Sequence, residues 1–445
     1  MRKTFAIFYP AQRLLSFFDR INHMSDVKPL YLNKYSHVPL IIVSALLFLP
    51  LPYSTSLLFI LAFSLFLMLK YPLDAGLFEK LLWGAFLLRM AVLLLNESFS
   101  LIPEQSDDLM YNRVAMEIVD NLSRKLPFFY GNVHSYGIKG YATFLSLLYG
   151  VFGEIHMLAK LVNSFLGLLS GIVIYKIAIE IFQERKTALI SAACALYLPS
   201  LIAFTSFVIR DAIILYFTYL LIYHFILLYK GERRLMHAVS FIILFILISI
   251  LRIQNLYLYS AFFIFFFLLL LFRSGVKKSI KAGMAASILL ICGIIFILNF
   301  DVILTVLTYP FRAQPLRAEG GSAYLTSMTY NNVFDIIKYL PIRFIYFTFG
   351  PFLWDAKGAF LLLSALEGLL VLAATVATLL YFHRVSDGEN QNLKLFLITF
   401  CLIGLVANSI VDSNFGTSVR HRMNYIVFFF IFAAAYLQNK KFRVL

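Results

Sequence analysis

Two adjacent carboxylates, Asp107 and Asp108, open a short polar stretch in a chain that is otherwise strongly apolar. Ser106 before them is a good helix N-cap, and apolar residues recur behind them at helical spacing. A carboxylate in this position can accept a proton from a substrate hydroxyl. The same two residues can also do no more than stabilise the helix macrodipole, so the motif alone leaves both interpretations open.

Two further polar groups lie where apolar stretches begin or end, namely Arg210 with Asp211, and Arg420 with His421 and Arg422. The first group predicts either a local ion pair or a second acidic residue that faces the first pair across one cavity. The second predicts either interfacial anchors or ligands of an anionic substrate. Arginine suits such a ligand because it binds phosphate through two N–H groups and stays charged when it is partly desolvated.

The composition indicates a membrane protein with many spans. Of 445 residues, 61% are hydrophobic and 14% are charged, whereas soluble domains are about half apolar and about a quarter charged. Basic cytoplasmic loops explain the net charge of +15, and no soluble basic domain is large enough to bind nucleic acid. Because Cys194, Cys292 and Cys401 all lie in apolar runs, we expect packing residues and no disulfide framework.

The order of apolar runs predicts the domain organisation. A basic leader, residues 1–37, comes first, with no cleavable signal peptide before the first apolar run. About twelve spans follow, some shorter than the usual length of about 20 residues. They lie near 38–51, 54–69, 77–95, 158–181, 187–204, 212–229, 238–251, 256–272, 282–299, 359–382, 394–411 and 423–438. The predicted fold class is an all-α polytopic bundle over residues 38–438, with a basic tail at 439–445.

Loop charges predict how this bundle lies in a cell membrane. Every loop assigned to the inner face is basic, as the positive-inside rule requires, and both termini are then cytoplasmic. Two long segments fall outside, 96–157 with the Asp pair and 300–358. Within them, 140–152 and 333–349 are apolar. We predict interfacial or re-entrant helices there, because counting either as a span would place later basic segments outside.

No metal or nucleotide motif accompanies the polar groups. His134, His156 and His421 lack metal-ligand spacing. There is also no glycine-rich phosphate loop and no Ser/His/Asp arrangement in a readable order. The sequence therefore identifies no cofactor with certainty, and whether the protein requires a divalent metal stays open. Arg252 and Arg343 add two cations to the predicted outer face.

The motif Asp-Asp-Leu-Met-Tyr at 107–111, with Ala115 beyond it, resembles the opening of the first large outer loop in the GT-C superfamily of membrane glycosyltransferases. It is similar to the branch of protein O-mannosyltransferases, lipid A aminoarabinose transferases and related bacterial cell-surface polysaccharide enzymes. The family continues with interfacial helices, a segment like 149–153 and a span that opens like 160–167. A second acidic residue follows on the next outer loop, and Asp211 matches it.

The resemblance covers roughly residues 100–230 and is only architectural beyond them. Two extra short spans before the Asp loop, a missing Pro-Pro pair and the lack of a large C-terminal soluble domain depart from the family and leave the subclass undecided. The resemblance implies transfer of a sugar, with inversion, from a polyprenyl-phosphate carrier to a polysaccharide, lipid or protein acceptor outside the cytoplasmic membrane. It implies that Asp107, Asp108 and Asp211 are catalytic and that Asp107 is the general base.

Seven residues are expected to bind the donor's phosphate or other parts of the substrate: Tyr111, Arg210, Arg252, Arg343, Arg420, His421 and Arg422. Since Arg420 and Arg422 would lie about 200° apart on a helix, we expect only one of them to face the cavity. Two other functions stay open. An oligosaccharide repeat-unit polymerase would use a lipid-linked oligosaccharide. A flippase or transporter would favour ionisable residues at the bilayer midplane, where Arg89 and Glu367 are the main charges.

Overall fold

The computed structural model describes residues 54–72, 76–100, 102, 106–131, 136–273, 300–384 and 390–439. These residues form helices, turns and a single isolated bridge between Ala323 and Asn414. The predicted leader 1–37, the predicted spans 38–51 and 282–299 and nearly all of the tail 439–445 lie outside the described residues. The all-α prediction therefore holds for the part of the chain that the structure describes.

Fifteen helices are described. The first eight are α1 (Ser54–Lys70), α2 (Leu77–Phe99), α3 (Ser106–Ser123), α4 (Tyr136–Phe152), α5 (His156–Phe182), α6 (Arg185–Tyr197), α7 (Pro199–Phe204) and α8 (Asp211–Lys230). The remaining seven are α9 (Arg234–Leu251), α10 (Ile253–Arg273), α11 (Phe300–Arg317), α12 (Val333–Phe349), α13 (Ala359–Arg384), α14 (Gln391–Val411) and α15 (Phe415–Gln438).

Six of these helices, α5, α8, α9, α10, α13 and α14, are long and apolar enough to cross a membrane. Such helices make the described chain a membrane-embedded bundle, because only helices and closed barrels satisfy their backbone polar groups in hydrocarbon. The other predicted spans within the described ranges are also helical, but they are not among these six. The count of about twelve spans and the orientation of the bundle stay predictions.

Helix α15 is the centre of the bundle. Every residue from Ser418 to Ala435 is buried, and the helix packs against α6, α13 and α14. A helix that is apolar around its whole circumference lies either in the core of a protein or in lipid, and the burial of this part of α15 shows that protein surrounds it. A second apolar cluster joins α1 and α2 to one face of α5. The helix α5 therefore links the two clusters and supports α8, which packs along it.

The predicted interfacial segments are helical. Helix α3 packs against α4, and its Val114 and Ile118 are fully buried in the same cluster as Tyr141 and Leu145 of α4. The segment predicted at 333–349 is α12, which begins with a capping box between Asn332 and Asp335. These contacts show how the segments pack on the bundle. Their depth in a membrane stays a prediction.

The single span predicted over 187–204 is wrong in detail, because the helix breaks at Leu198 into α6 and α7. Pro199 is the cause, since proline has no N–H to continue the helical hydrogen bonds. Two charged residues of other helices satisfy the broken ends. Arg89 donates to the carbonyl of Leu196 at 2.7 Å, and Glu367 accepts from the N–H of Ser200 at 2.7 Å.

Candidate functional site

The starts of three helices meet at one end of the bundle and bring together residues that are far apart in sequence. Asp107 lies in the first turn of α3, Asp211 begins α8 and Arg420 lies in the second turn of α15. Arg252 joins them from the link between α9 and α10. We call Asp107, Asp211, Arg210, Arg252 and Arg420 the carboxylate–arginine cluster.

Arg420 connects the two carboxylates of the cluster. One terminal nitrogen of its guanidinium is 2.7 Å from Oδ2 of Asp107. Its Nε is 3.0 Å from Oδ2 of Asp211, but the two atoms are not aligned as a hydrogen bond. Arg252 donates to the other oxygen of Asp211 at 2.5 Å. The cluster is therefore a continuous chain of alternating charges.

The two carboxylates differ in exposure. The side chain of Asp211 is fully buried, whereas that of Asp107 is 31% exposed. Buried charges persist only when they are paired, and Asp211 has a guanidinium on either side. Asp107 is therefore partly accessible to solvent, whereas Asp211 is enclosed.

Arg210 supplies a third cation beside Asp211. It donates to the carbonyl of Leu251 at 3.2 Å, while its Nε is buried and has no partner among the described residues. Helix α4 approaches so closely that a Cβ atom on Gly137 would lie 2.5 Å from a terminal nitrogen of Arg210. Any larger residue at position 137 would therefore displace this guanidinium.

Asp108 does not point into the cluster. Its two oxygens accept hydrogen bonds from the backbone N–H of Val208 at 2.9 Å and from the amide of Asn112 at 2.8 Å. Burial raises the pKa of the Asp108 carboxyl, and the hydrogen bond from Val208 opposes that shift. Asp108 thus holds the loop before α8 and positions Asp211 through it.

Asn163 of α5 holds the same loop from the other side. Its amide donates to the carbonyls of Phe207 at 2.6 Å and Ile209 at 3.0 Å, and also contacts the hydroxyl of Tyr141 at 2.7 Å. Tyr111 is almost fully buried and packs edge-on against Tyr141. Asn163 could not be identified as a site residue from the sequence, because a lone asparagine in an apolar helix carries no motif.

The structure does not bring Arg422 into the cluster. This side chain is fully buried and donates to the carbonyls of Thr348 at 3.1 Å and Gly350. Its other terminal nitrogen is 3.8 Å from Glu367. The guanidinium of Arg422 therefore satisfies the carboxyl end of α12 and the loop that follows it.

Arg343 lies in a similar backbone environment. It is fully buried and donates to the carbonyls of Ser409 at 3.2 Å and Asp412 at 3.0 Å, and to the hydroxyl of Ser413 at 2.5 Å. The ring of Tyr330 lies 5.2 Å from its guanidinium carbon. Arg343 thus ties α12 to the loop between α14 and α15, and not to Asp107.

His421 forms a pair with Asp412, the residue that follows α14. Nδ1 of His421 is 2.6 Å from one oxygen of the buried Asp412, and Arg317 binds the other oxygen. Burial alone would raise the pKa of Asp412, but His421 and Arg317 lower it to about 2. Burial lowers the pKa of His421 to about 4. When His421 is protonated, its charge also acts on Asp211, so the pair adjoins the cluster.

The predicted site residues thus fall into three groups. Asp107, Asp211, Arg210, Arg252 and Arg420 converge. Asp108, Tyr111 and His421 adjoin them, while Arg343 and Arg422 bind backbone carbonyls elsewhere. Among the described residues, no three acidic, histidine or cysteine side chains converge in a way that could hold a metal ion.

Comparisons with protein-family models, with curated proteins and with solved structures find no match to this chain. The geometry of the site and the resemblance of its motif therefore carry the functional argument.

Proposed function

We propose that this protein is a membrane glycosyltransferase that moves a sugar from a polyprenyl-phosphate carrier to a cell-envelope acceptor. The acceptor is a polysaccharide, a lipid or a protein. One observation carries the proposal. At the end of the bundle where α3, α8 and α15 begin, three arginines surround two carboxylates, and one of those carboxylates is open to a ligand. Such a site offers a base and a place for a phosphate.

The chemistry requires little more than these groups. Asp107 accepts the proton of the acceptor hydroxyl, and the hydroxyl oxygen attacks the anomeric carbon of the sugar. The bond from that carbon to the carrier's phosphate oxygen breaks, and the phosphate leaves with the electron pair. Arginines stabilise the leaving charge, because preorganised donors are effective where charge develops. Configuration at the anomeric carbon is inverted in this single displacement.

The orientation of Asp108 supports a transferase over a hydrolase. Glycosidases need two carboxyl groups on opposite sides of the scissile bond, about 5–9.5 Å apart. Asp108 is engaged by Val208 and Asn112, so it leaves Asp107 as the exposed member of the pair. Asp211 is fully buried between Arg252 and Arg420, so it cannot act as the second carboxyl group of a glycosidase. With the loop charges, we propose that the site lies on the extracytoplasmic side of the cell membrane, where the acceptor is found.

An oligosaccharide repeat-unit polymerase is the second candidate. It is favoured by the convergence of Arg420 with Arg210 and Arg252, because three guanidiniums also suit the diphosphate of a lipid-linked oligosaccharide. A transporter is less well supported. Arg89 and Glu367, the two charges that the sequence analysis assigned to membrane depth, satisfy the broken ends of α6 and α7.

Mass spectrometry of surface glycans and lipid-linked intermediates, with and without this protein, separates these functions. A glycosyltransferase predicts that one sugar is missing from the surface glycan and that its lipid-linked monosaccharide accumulates. Loss of the polymer with intact repeat units would favour the polymerase. An unchanged set of products with an altered leaflet distribution of the carrier would reject both enzymes.

A further inference from the structure

The two carboxylates bound to Arg420 differ in how firmly they are held. Asp211 is fully buried, and Arg252 contacts it at 2.5 Å as well, so it is a permanent partner. Asp107 is 31% exposed, lies on the first turn of α3, and is bound within the cluster through one oxygen only. An ion pair with an exposed member is weak and exchangeable. Of the two contacts of Arg420, the one with Asp107 is the easier to replace.

Arg210 provides an unused donor in the same place. Its Nε–H is buried without a partner in the described part of the chain, and its charge acts on both Asp211 and Arg420. A buried donor without an acceptor costs free energy, so a ligand with acceptor oxygens would stabilise it. The Nε of Arg420 faces the buried Asp211 at 3.0 Å, so the donor that Arg420 can offer to a ligand is the terminal nitrogen that contacts Asp107 at 2.7 Å. This N–H group and the Nε–H of Arg210 suit a phosphate, which accepts several hydrogen bonds at once.

We propose that the phosphate of the lipid-linked donor binds Arg420 and Arg210 by displacing Asp107 from Arg420. This inference rests on the proposed function, and it concerns when Asp107 is free to act as the base. Without donor, the Asp107 carboxylate is occupied by a guanidinium. With donor bound, the phosphate takes over that guanidinium and Asp107 becomes free to accept the proton of the acceptor hydroxyl. The base is therefore active only when a sugar is ready for transfer.

If two anions compete for one guanidinium, removing the internal anion strengthens ligand binding, whereas removing an ordinary binding residue weakens it. Asp107→Asn removes the internal competitor, so a polyprenyl phosphate should bind more tightly to this variant than to the wild type. The expected gain is about two- to fivefold, the range set by a partly exposed ion pair. Turnover should fall in the same variant because the base is lost. If Asp107 only positioned Arg420, its replacement would weaken the binding of polyprenyl phosphate instead.

The test uses the full chain in nanodiscs of neutral lipid and measures binding of a polyprenyl phosphate that carries no sugar. Phosphatidic acid and inorganic phosphate are the parallel probes, which separate the carrier from other phosphate sources. Asp107→Ala repeats the test in case Asp107→Asn does not fold. Asp120→Asn is the matched control, because Asp120 lies on the same helix and pairs with Arg124 at the exposed surface. Arg420→Gln should abolish the binding that Asp107→Asn strengthens.

Tighter binding of polyprenyl phosphate by both Asp107 variants, with the control unchanged, would support the inference. Weaker or unchanged binding by folded Asp107 variants would overturn it and leave the proposed function standing. Equal affinity for phosphatidic acid would overturn the assignment of the donor's phosphate. A wild-type protein that binds no polyprenyl phosphate would instead reject the proposed function itself.

Discussion

Arg420 and Arg422 lie two residues apart on α15, both are buried, and they have different partners. Arg420 contacts two carboxylates, one of them partly exposed. Arg422 donates to backbone carbonyls and faces the fully buried Glu367. Their guanidiniums point to different sides of the helix because two residues correspond to about 200° of rotation. One side of α15 meets the partly exposed Asp107, and the other meets the interior of the bundle.

This difference shows that burial and charge do not by themselves identify a ligand-binding arginine. A buried arginine whose partners are carbonyls completes the hydrogen bonds of its neighbours. One whose partner is an accessible carboxylate can exchange that partner for a substrate anion. We therefore expect substitutions of Arg422 to reduce stability and substitutions of Arg420 to impair use of the donor.

Removal of Arg422 should have the largest effect. Arg422→Ala leaves Glu367 buried without a cation, and the free energy of unfolding should fall by about 3–5 kcal/mol. Thermal unfolding in detergent would measure this loss. Arg420→Ala is the control and should remain folded, because Asp107 can reach water and the buried Asp211 keeps its contact with Arg252. If the Arg422→Ala protein were as stable as the wild type, Arg422 would not have the structural role that distinguishes it from Arg420.

Asp107→Asn should reduce turnover by about 10²–10⁴-fold, the usual contribution of a general base. Asparagine keeps the size and polarity of the side chain but cannot take up the proton. Turnover is measured with lipid-linked donor and acceptor under saturating conditions, and the Asp120→Asn protein serves as the reference. Wild-type turnover in a folded Asp107→Asn protein would exclude Asp107 as the base.

Arg420→Lys should separate the effect of charge from that of geometry, because lysine keeps the charge but cannot donate two parallel N–H groups. We expect the KM for the donor to rise about tenfold, which corresponds to the loss of one charge-assisted hydrogen bond, with little change in the KM for the acceptor. Arg422→Lys should lower the melting temperature instead. If Arg422→Lys alone raised the donor KM, the assignments of the two arginines would have to be exchanged.

Asp412 should make stability depend on acid pH. Its pKa is lowered to about 2 by His421 and Arg317 against the effect of burial, from an ordinary value near 3.9. A depressed carboxyl pKa contributes stability that is present above about pH 4 and is lost as the pH falls towards about 2. Burial also lowers the pKa of His421 to about 4, from an ordinary value near 6.5, so stability already begins to fall as the pH drops from about 6.5 to about 4. Between about pH 4 and about pH 2, the loss of stability should be steeper in the wild type than in Asp412→Asn. Parallel profiles would show that the pair with His421 contributes nothing.

Asp108→Asn should have the smallest effect, a loss of turnover of about two- to fivefold. Asparagine still offers one oxygen to the N–H of Val208, so the loop before α8 keeps its main contact. Asn163→Ala removes the opposite anchor and should cost more. A loss from Asp108→Asn as large as that from Asp107→Asn would place both carboxylates in the reaction.

The sequence predicted the helical bundle well, because apolar length and period are local properties. It also predicted that Asp107, Asp211 and one of the two arginines on α15 would come together. It could not show that Arg343 and Arg422 bind carbonyls, since a carbonyl partner leaves no trace in residue types. Nor could it find the Asp412–His421 pair, which depends on the turn before α15. The break between α6 and α7 could have been predicted from Pro199. The apolar run 187–204 was interpreted as one span because of its length.

The break between α6 and α7 also affects how the chain is assembled. Neither piece, of 13 and six residues, is long enough to cross the hydrocarbon alone, and each leaves backbone groups that lipid cannot satisfy. Arg89 comes from a helix synthesised earlier, but Glu367 is made 167 residues after Ser200. During synthesis, the N–H of Ser200 therefore lacks its acceptor until α13 has been made. A chain truncated before α13 should accordingly be recognised by quality-control proteases even though most of its apolar helices are already present.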